Sequence, residues 1–260
     1  MEGVRLIYEQ IEEAKRFLLA GSVLQLRLAL ILLDNAAELI MYRELQQRFA
    51  EKDAWTPKWE PARTHYLHSP LGPKWTEEER QAALKEFEPK TRILHYRLQS
   101  ISQDDRIVLN VCHKLRCEAF HRGHVRRELL APVTRLLHVT VCDLTVKLRF
   151  RSYMILGGDG SAEDRAFMGR FNIGRAHSLG DDGTIARMRD KLCENVPVDH
   201  GVLAQTLSDD LLQRIDETLG GLTYVMHAEN DTEIDHNLKY QSFGGSGEHN
   251  WQRMACARLN

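Results

Sequence analysis

A chain of 260 residues, 43% hydrophobic and 28% charged, is long enough for one large domain, or for a core of about 150 residues with a second lobe. Its formal net charge of −2 excludes a protein that tracks nucleic acid along an extended basic surface. The five cysteines, Cys112, Cys117, Cys142, Cys193 and Cys256, are odd in number, spread out and never in a C-x-x-C pair. That pattern argues for free thiols in a reducing compartment and against a zinc site.

Helical periodicity dominates the first 150 residues. Val4, Ile7, Ile11, Ala14 and Phe17/Leu18 mark one face of a first helix, ended by Gly21. A second runs from about Ser22 to Phe49 and is apolar nearly all round, as the central helix of a bundle should be. Its run at 28–33 is interrupted by Arg27, Asp34, Asn35 and Glu38, well short of the roughly 20 apolar residues a bilayer span needs. The opening "MEGVRLIYEQ" has no secretion-signal pattern, so the expectation is a soluble cytoplasmic protein with no membrane partner.

An irregular insertion at about 51–75 crowds prolines with Trp55, Trp59 and Trp75; these rings either stack bases or anchor the insertion on the bundle. Thr76 with Glu79 forms a capping box opening a third helix, and Ser102 with Asp105 opens a fourth. The fourth helix is expected to turn Ile107, Val108, Val111, Leu115 and Phe120 inward and to stop near Gly123. A fifth begins around Ala131-Pro132, with proline in its first turn, and buries Val133, Leu137, Val141, Leu144 and Leu148. Behind residue 150 come shorter helical pieces near 162–170, 184–194, 202–219 and 222–228, then the glycine-rich "SFGGSGEH". The predicted class is all-α: a four- to five-helix bundle over 1–150 and a helical extension with a glycine-containing tail over 151–260.

Residues 101–150 carry nine Lys and Arg against five Asp and Glu, and the excess peaks in "HKLRCEAFHRGHVRREL". A compact basic patch of this kind suits a short contact with phosphates. Within it Arg116 and His121 form an Arg-x4-His pair. With 25 arginines and 12 histidines, roughly one such match arises by chance, and Arg63 with His68 is another. Only the first sits at the end of an amphipathic helix, before a glycine and in the basic stretch. On a regular helix the two positions stand about 140° apart. They flank a groove, or meet if the last turn unwinds, and a second copy across a two-fold axis would fill such a groove.

On Arg116 and His121, the following Arg122-Gly123, Phe120 before the histidine and the helix "LILLDNAAELI", the chain resembles the HEPN superfamily, whose four- or five-helix bundles carry an R-x4–6-H motif late in the domain. The resemblance covers about the first 150 residues. It implies an endoribonuclease needing no metal or other cofactor, often a toxin or antiviral effector, whose active site forms in a homodimer. An antitoxin or defence-system protein is the further partner it implies. The family commonly has a polar residue, usually Asn, after the arginine; Cys117 stands there in this chain, and a thiol hydrogen-bonds only weakly.

RNA carries its own nucleophile, the 2′-hydroxyl, so cleavage needs a proton acceptor, charge stabilisation and help for the leaving 5′-oxygen. An imidazole such as His121, with an unperturbed pKa of about 6.5, exchanges protons at neutral pH. Arg116 can fork two donors onto phosphate oxygens. The expected products end in 2′,3′-cyclic phosphate and 5′-hydroxyl. Cys117, Asp34, Asn35 and Glu38 are the supporting candidates; the three on the second helix either orient Arg116 or His121 or line a solvated edge. His113, Lys114, Arg122, His124, Arg126 and Arg127 are read as phosphate contacts. The acidic "AENDTEIDH" reads as a solvated turn rather than a metal site, and "GGDG" at 157–160 lacks the context of a phosphate loop. The competing reading is a catalytically silent helical module that docks a nucleotidyltransferase or effector.

Overall fold

A computed structural model describes residues 2–55, 75–121, 127–148, 161–173 and 182–228, with the backbone alone for residues 2, 51–55, 121, 214 and 220–228. The described residues are all-α. The helices are α1 (Glu2–Ala20), α2 (Val23–Trp55), α3 (Glu77–Lys85), α4 (Phe87–Arg92), α5 (Gln103–His121), α6 (Arg127–Lys147), α7 (Ala162–Arg170), α8 (Asp182–Cys193) and α9 (His200–Ala228). Two compact units divide the chain, Met1–Leu203 and Ala204–Asn260. The pieces at 162–170 and 184–194, assigned by sequence to the extension, therefore fall within the first unit as α7 and α8. The pieces read at 202–219 and 222–228 are one helix, α9, whose residues from Ala204 onward are the described part of the second unit.

The apolar face read on α1 is buried: Val4, Ile7, Ile11, Ala14 and Leu18 are all at most 5% exposed. Gly21, at φ +75°, supplies the left-handed residue that ends the helix, and its N–H bonds the Phe17 carbonyl at 3.2 Å. Ser22 and Gln25 then cap α2 reciprocally. This two-residue link makes α1 and α2 an αα-hairpin. Helix α2 packs against α1, α5 and α6 and buries residues around most of its circumference, from Leu26 to Phe49. It continues six residues beyond the expected end, to Trp55.

Trp75 is buried with its ring 4.9 Å from that of Phe49, which anchors it to α2 and makes it unavailable for base stacking. The Thr76–Glu79 capping box is complete. The expected third helix breaks at the extended Glu86, which places Pro89 in the first turn of α4, where its missing N–H has no intrahelical bond to lose. A π-helical turn, Ile93–Arg97, follows.

Helix α5 is rotated relative to the expectation. Ile107, Val111 and Phe120 are 49%, 43% and 60% exposed, while Asp105, Leu109, Cys112 and Ala119 are buried. Two charges on the inward side, Asp105 and Arg116, meet partners on other helices, Lys147 and Asp34, so the buried stripe is partly polar. Helix α6 starts a turn earlier than predicted, which leaves Pro132 inside it. All five residues expected to face the core from α6 are buried. Helix α6 is also long and apolar enough to cross a bilayer by length and composition, but 61% of its most apolar stretch is buried inside the protein, as in the core helix of a bundle.

Candidate functional site

The last two turns of α5 bring charged groups onto one buried carboxylate of α2. The Asp34 side chain is 2% exposed, and a carboxylate so deep requires donors. Its oxygens lie 3.0 and 3.1 Å from His113 Nδ1, and Oδ2 lies 3.4 Å from Arg116 Nε. The contact with Arg116 has the reach of an ion pair but not the alignment of a hydrogen bond, for Nε is buried and no group among the described residues accepts its proton. His113 and Arg116 are three residues apart and so share a helix face. The His113 ring lies flat on Phe87 of α4, centroids 4.0 Å apart and planes at 11°. Arg27 of α2 donates to the Ala119 carbonyl at 2.8 Å, satisfying one of the carbonyls a helix end leaves open and tying the end of α5 to α2.

The Cys117 thiol sits between the two bases, 3.8 Å from Arg116 Nη1 and 3.8 Å from His113 Nε2. Sulfur is a weak acceptor, so among the described residues the terminal nitrogens of Arg116 make one weak contact, and the guanidinium lies over the Phe120 ring at 5.9 Å. With the side chain 29% exposed, the remaining donors can reach an incoming anion. Cys112, on the same helix, is buried, and burial, then the nearby Asp34 charge, push its thiol well above the ordinary range, which disfavours the thiolate.

Of the three supporting candidates on α2, only Asp34 touches Arg116. Asn35 is exposed. Glu38 pairs instead with Lys90 of α4, whose buried Nζ lies 3.0 Å from Oε1 and also bonds the Glu86 carbonyl at 3.1 Å. Helix α5 is α-helical through His121, so the backbone does not unwind between the two motif residues. Their positions stand about 140° apart around the helix. The His121 side chain, with Arg122, Gly123, His124 and Arg126, lies outside the described residues, as do Arg63, His68 and the acidic run at 229–236. Lys114 and Arg127 are exposed, as phosphate contacts would need to be.

Reading the motif alone missed the role of His113: it is not a loose surface contact but the second base on Asp34. The signal was its spacing, since His113 shares a face with Arg116 and His121 does not. A cleft of about 500 Å³ lined by residues such as Glu9, Glu12, Lys15, Arg170 and Lys191 shares no residue with this cluster, and its Arg170 is paired with Glu9 and Glu12. Comparisons with known protein families, with curated proteins and with solved structures found no match.

Proposed function

We propose that the chain is a metal-independent endoribonuclease of the HEPN kind, acting in the cytoplasm as a homodimer, within a toxin–antitoxin or antiphage system. The observation that carries this reading is the state of Arg116: fixed from behind by a buried carboxylate, partly exposed, and with its terminal donors almost unspent. A guanidinium held in this way is preorganised for the charge that builds on a phosphorane. In the proposed reaction His121 accepts the 2′-hydroxyl proton, the 2′-oxygen attacks phosphorus and the 5′-oxygen leaves, taking up a proton. Arg116 holds the equatorial oxygens. Lys114 and Arg127, with Arg122, His124 and Arg126, hold flanking phosphates. Because Arg116 and His121 occupy different faces of α5, the complete site draws on two copies of the chain, and Ile107 and Val111 give α5 an exposed apolar face for the second copy.

Two observations favour the other class. Arg116 already has an internal partner in Asp34, and the residue after it is a thiol rather than an amide. Both suit a silent module that docks a nucleotidyltransferase or effector.

The two readings part on one experiment. Purified full-length protein is incubated with total RNA in EDTA beside Arg116→Ala and His121→Ala, with helicity checked by circular dichroism in the same buffer. Cleavage to 2′,3′-cyclic phosphate ends by the parent only is the expected result; intact RNA with all three proteins folded would leave the docking module.

A further inference from the structure

Two cysteines that look unrelated along the chain converge on a histidine of α6. His138 and Cys142 stand one turn apart on α6, both wholly buried, and Cys193, half-buried, is the last residue of α8. Ligand atoms from these three residues lie within 4.8 Å of one another. Cys142 Sγ is 3.9 and 4.0 Å from the two ring nitrogens of His138. Those sulfur contacts are the only hydrogen-bonding contacts of the ring among the described residues. A buried imidazole whose partner is a thiol is only weakly satisfied, since sulfur is a poor donor and a poor acceptor. The arrangement is therefore incomplete as hydrogen bonding and well suited to a ligand that takes a lone pair from nitrogen and from each sulfur.

We propose that His138, Cys142 and Cys193 bind one thiophilic d¹⁰ cation, Zn(II) or Cu(I), that clips α8 to α6. The donor set decides the class of ion: two thiolates and an imidazole select soft or borderline cations, whereas calcium and magnesium require oxygen. The dimensions agree. With metal–sulfur and metal–nitrogen bonds of about 2.3 and 2.0 Å, ligands arranged around one ion stand about 3.5–4 Å apart. The His138–Cys142 separation already has that value; because Sγ is equally far from both ring nitrogens, closure asks for the imidazole to turn one lone pair toward the ion and for the three ligand atoms, now within 4.8 Å of one another, to draw together. The i,i+4 spacing of His138 and Cys142 sets two ligands on one rigid face. Arg189, one turn before Cys193, is bonded to Asp143 at 2.8 Å and to Asp190 at 3.1 Å, so its charge near the sulfurs is largely offset by these carboxylates. Binding releases two thiol protons to solvent, so two thiolates and Zn(II) leave a neutral core. The site shares no residue with the Asp34 cluster, and its role is to stabilise the fold.

The test uses full-length protein, reduced and kept free of oxygen, titrated separately with Zn(II) and with Cu(I) against a competing chelator. Expected are one ion per chain in at least one arm, a raised Tm, and X-ray absorption showing two sulfurs and one nitrogen around the metal. Cys193→Ala removes the half-exposed ligand at the end of a helix. It should weaken binding by more than about 100-fold, beyond the loss of a merely supporting partner. The absorption measurement on the parent protein decides the matter even if that variant unfolds. Failure of the reduced protein to retain either ion, undiminished retention by folded Cys193→Ala, or a different sulfur count overturns the proposal.

Discussion

Two clusters within the first unit are built from similar side chains and differ in their access to water. On α2 and α5, an imidazole, a guanidinium and a thiol gather on a buried carboxylate, and both His113 and Arg116 keep more than a quarter of their side-chain surface exposed. On α6 and α8, an imidazole and two thiols gather with no carboxylate among them, and His138 is wholly buried. Burial, with a smaller contribution from Lys15, lowers the His138 pKa to about 4, so this ring is neutral at pH 7. The comparison teaches that the identity of the side chains does not fix their chemistry. The first cluster leaves the Arg116 guanidinium within reach of solvent beside its carboxylate, and the second, with a buried neutral imidazole and two sulfurs, offers lone pairs in place of charge.

The sharpest way to break the contrast is at Arg116. If its charge is spent on the reaction rather than on the fold, Arg116→Ala should lower RNA cleavage by about 100- to 1,000-fold, the range for losing one preorganised donor to a developing oxyanion. Arg116→Lys should recover little of this, since an ammonium cannot present the planar fork. Single-turnover cleavage, read beside a thermal melt, checks it. A Tm that collapses along with the rate would assign Arg116 to the fold alone.

Next in size is Asp34→Ala. Removing one partner of a buried pair costs about 3–5 kcal/mol, and here the stranded Arg116 and His113 can turn toward solvent, which reduces the expected loss to about 2–3 kcal/mol. Urea denaturation measures it. Asp34→Ala combined with Arg116→Ala should cost less than the sum of the two single changes, because each removes the same contact.

These two residues also mark how far the sequence could be read. The faces of α1 and α6 were legible because apolar residues recur along them at helical spacing, even though α6 also buries Thr134, His138, Thr140 and Thr145. The face of α5 was not, because counting apolar residues cannot recognise a stripe containing Asp105 and Arg116. Asp105 is buried and Arg116 partly so, which is made tolerable by Lys147 and Asp34 on distant segments. Ile107 and Val111 were assigned inward for the same reason and are exposed. The motif identified Arg116 and, among three polar residues on α2, included the one it touches. It did not identify His113 as that carboxylate's closer partner, since proximity across helices is a tertiary fact. Linear spacing likewise kept Cys142 and Cys193 apart, because cysteine patterns report local pairs.

A smaller effect is expected where the first cluster leans on α4. Phe87, 7% exposed, stacks on His113, and Phe87→Leu keeps most of its volume while removing the flat contact. Aromatic pairs are worth about 0.5–1.5 kcal/mol beyond burial, so a stability loss of about 1 kcal/mol is expected. The His113 ring resonances should move in NMR spectra while those of His138 stay in place. Movement of both would mean that the clusters are coupled through the core rather than independent.

The smallest effect lies at the root of α5. Asp105 accepts from the Ser102 backbone and hydroxyl at 2.9 and 2.7 Å and pairs with Lys147 at 2.7 Å. Burial alone would raise its pKa; the hydrogen bonds from Lys147 and Ser102 outweigh burial, and the carboxyl lies below its ordinary value. The folded state therefore holds this proton less tightly than the unfolded chain. The stabilisation is complete above the unfolded pKa of about 3.9 and is lost as pH falls through the lower folded value. Lys147 is partly exposed, so solvent limits the contribution to about 1 kcal/mol. Asp105→Asn should remove that increment at pH 7 and change stability little at pH 2, which paired denaturation curves resolve. Because Asp105 anchors the start of the helix whose far end carries Arg116, the same variant asks whether fraying at one end reaches the other. If the proposed cleavage is real, a cooperative α5, locked to α2 by Arg27 and Asp34, should leave its rate within about twofold at pH 7, since losing a cap worth about 1 kcal/mol leaves the far end folded.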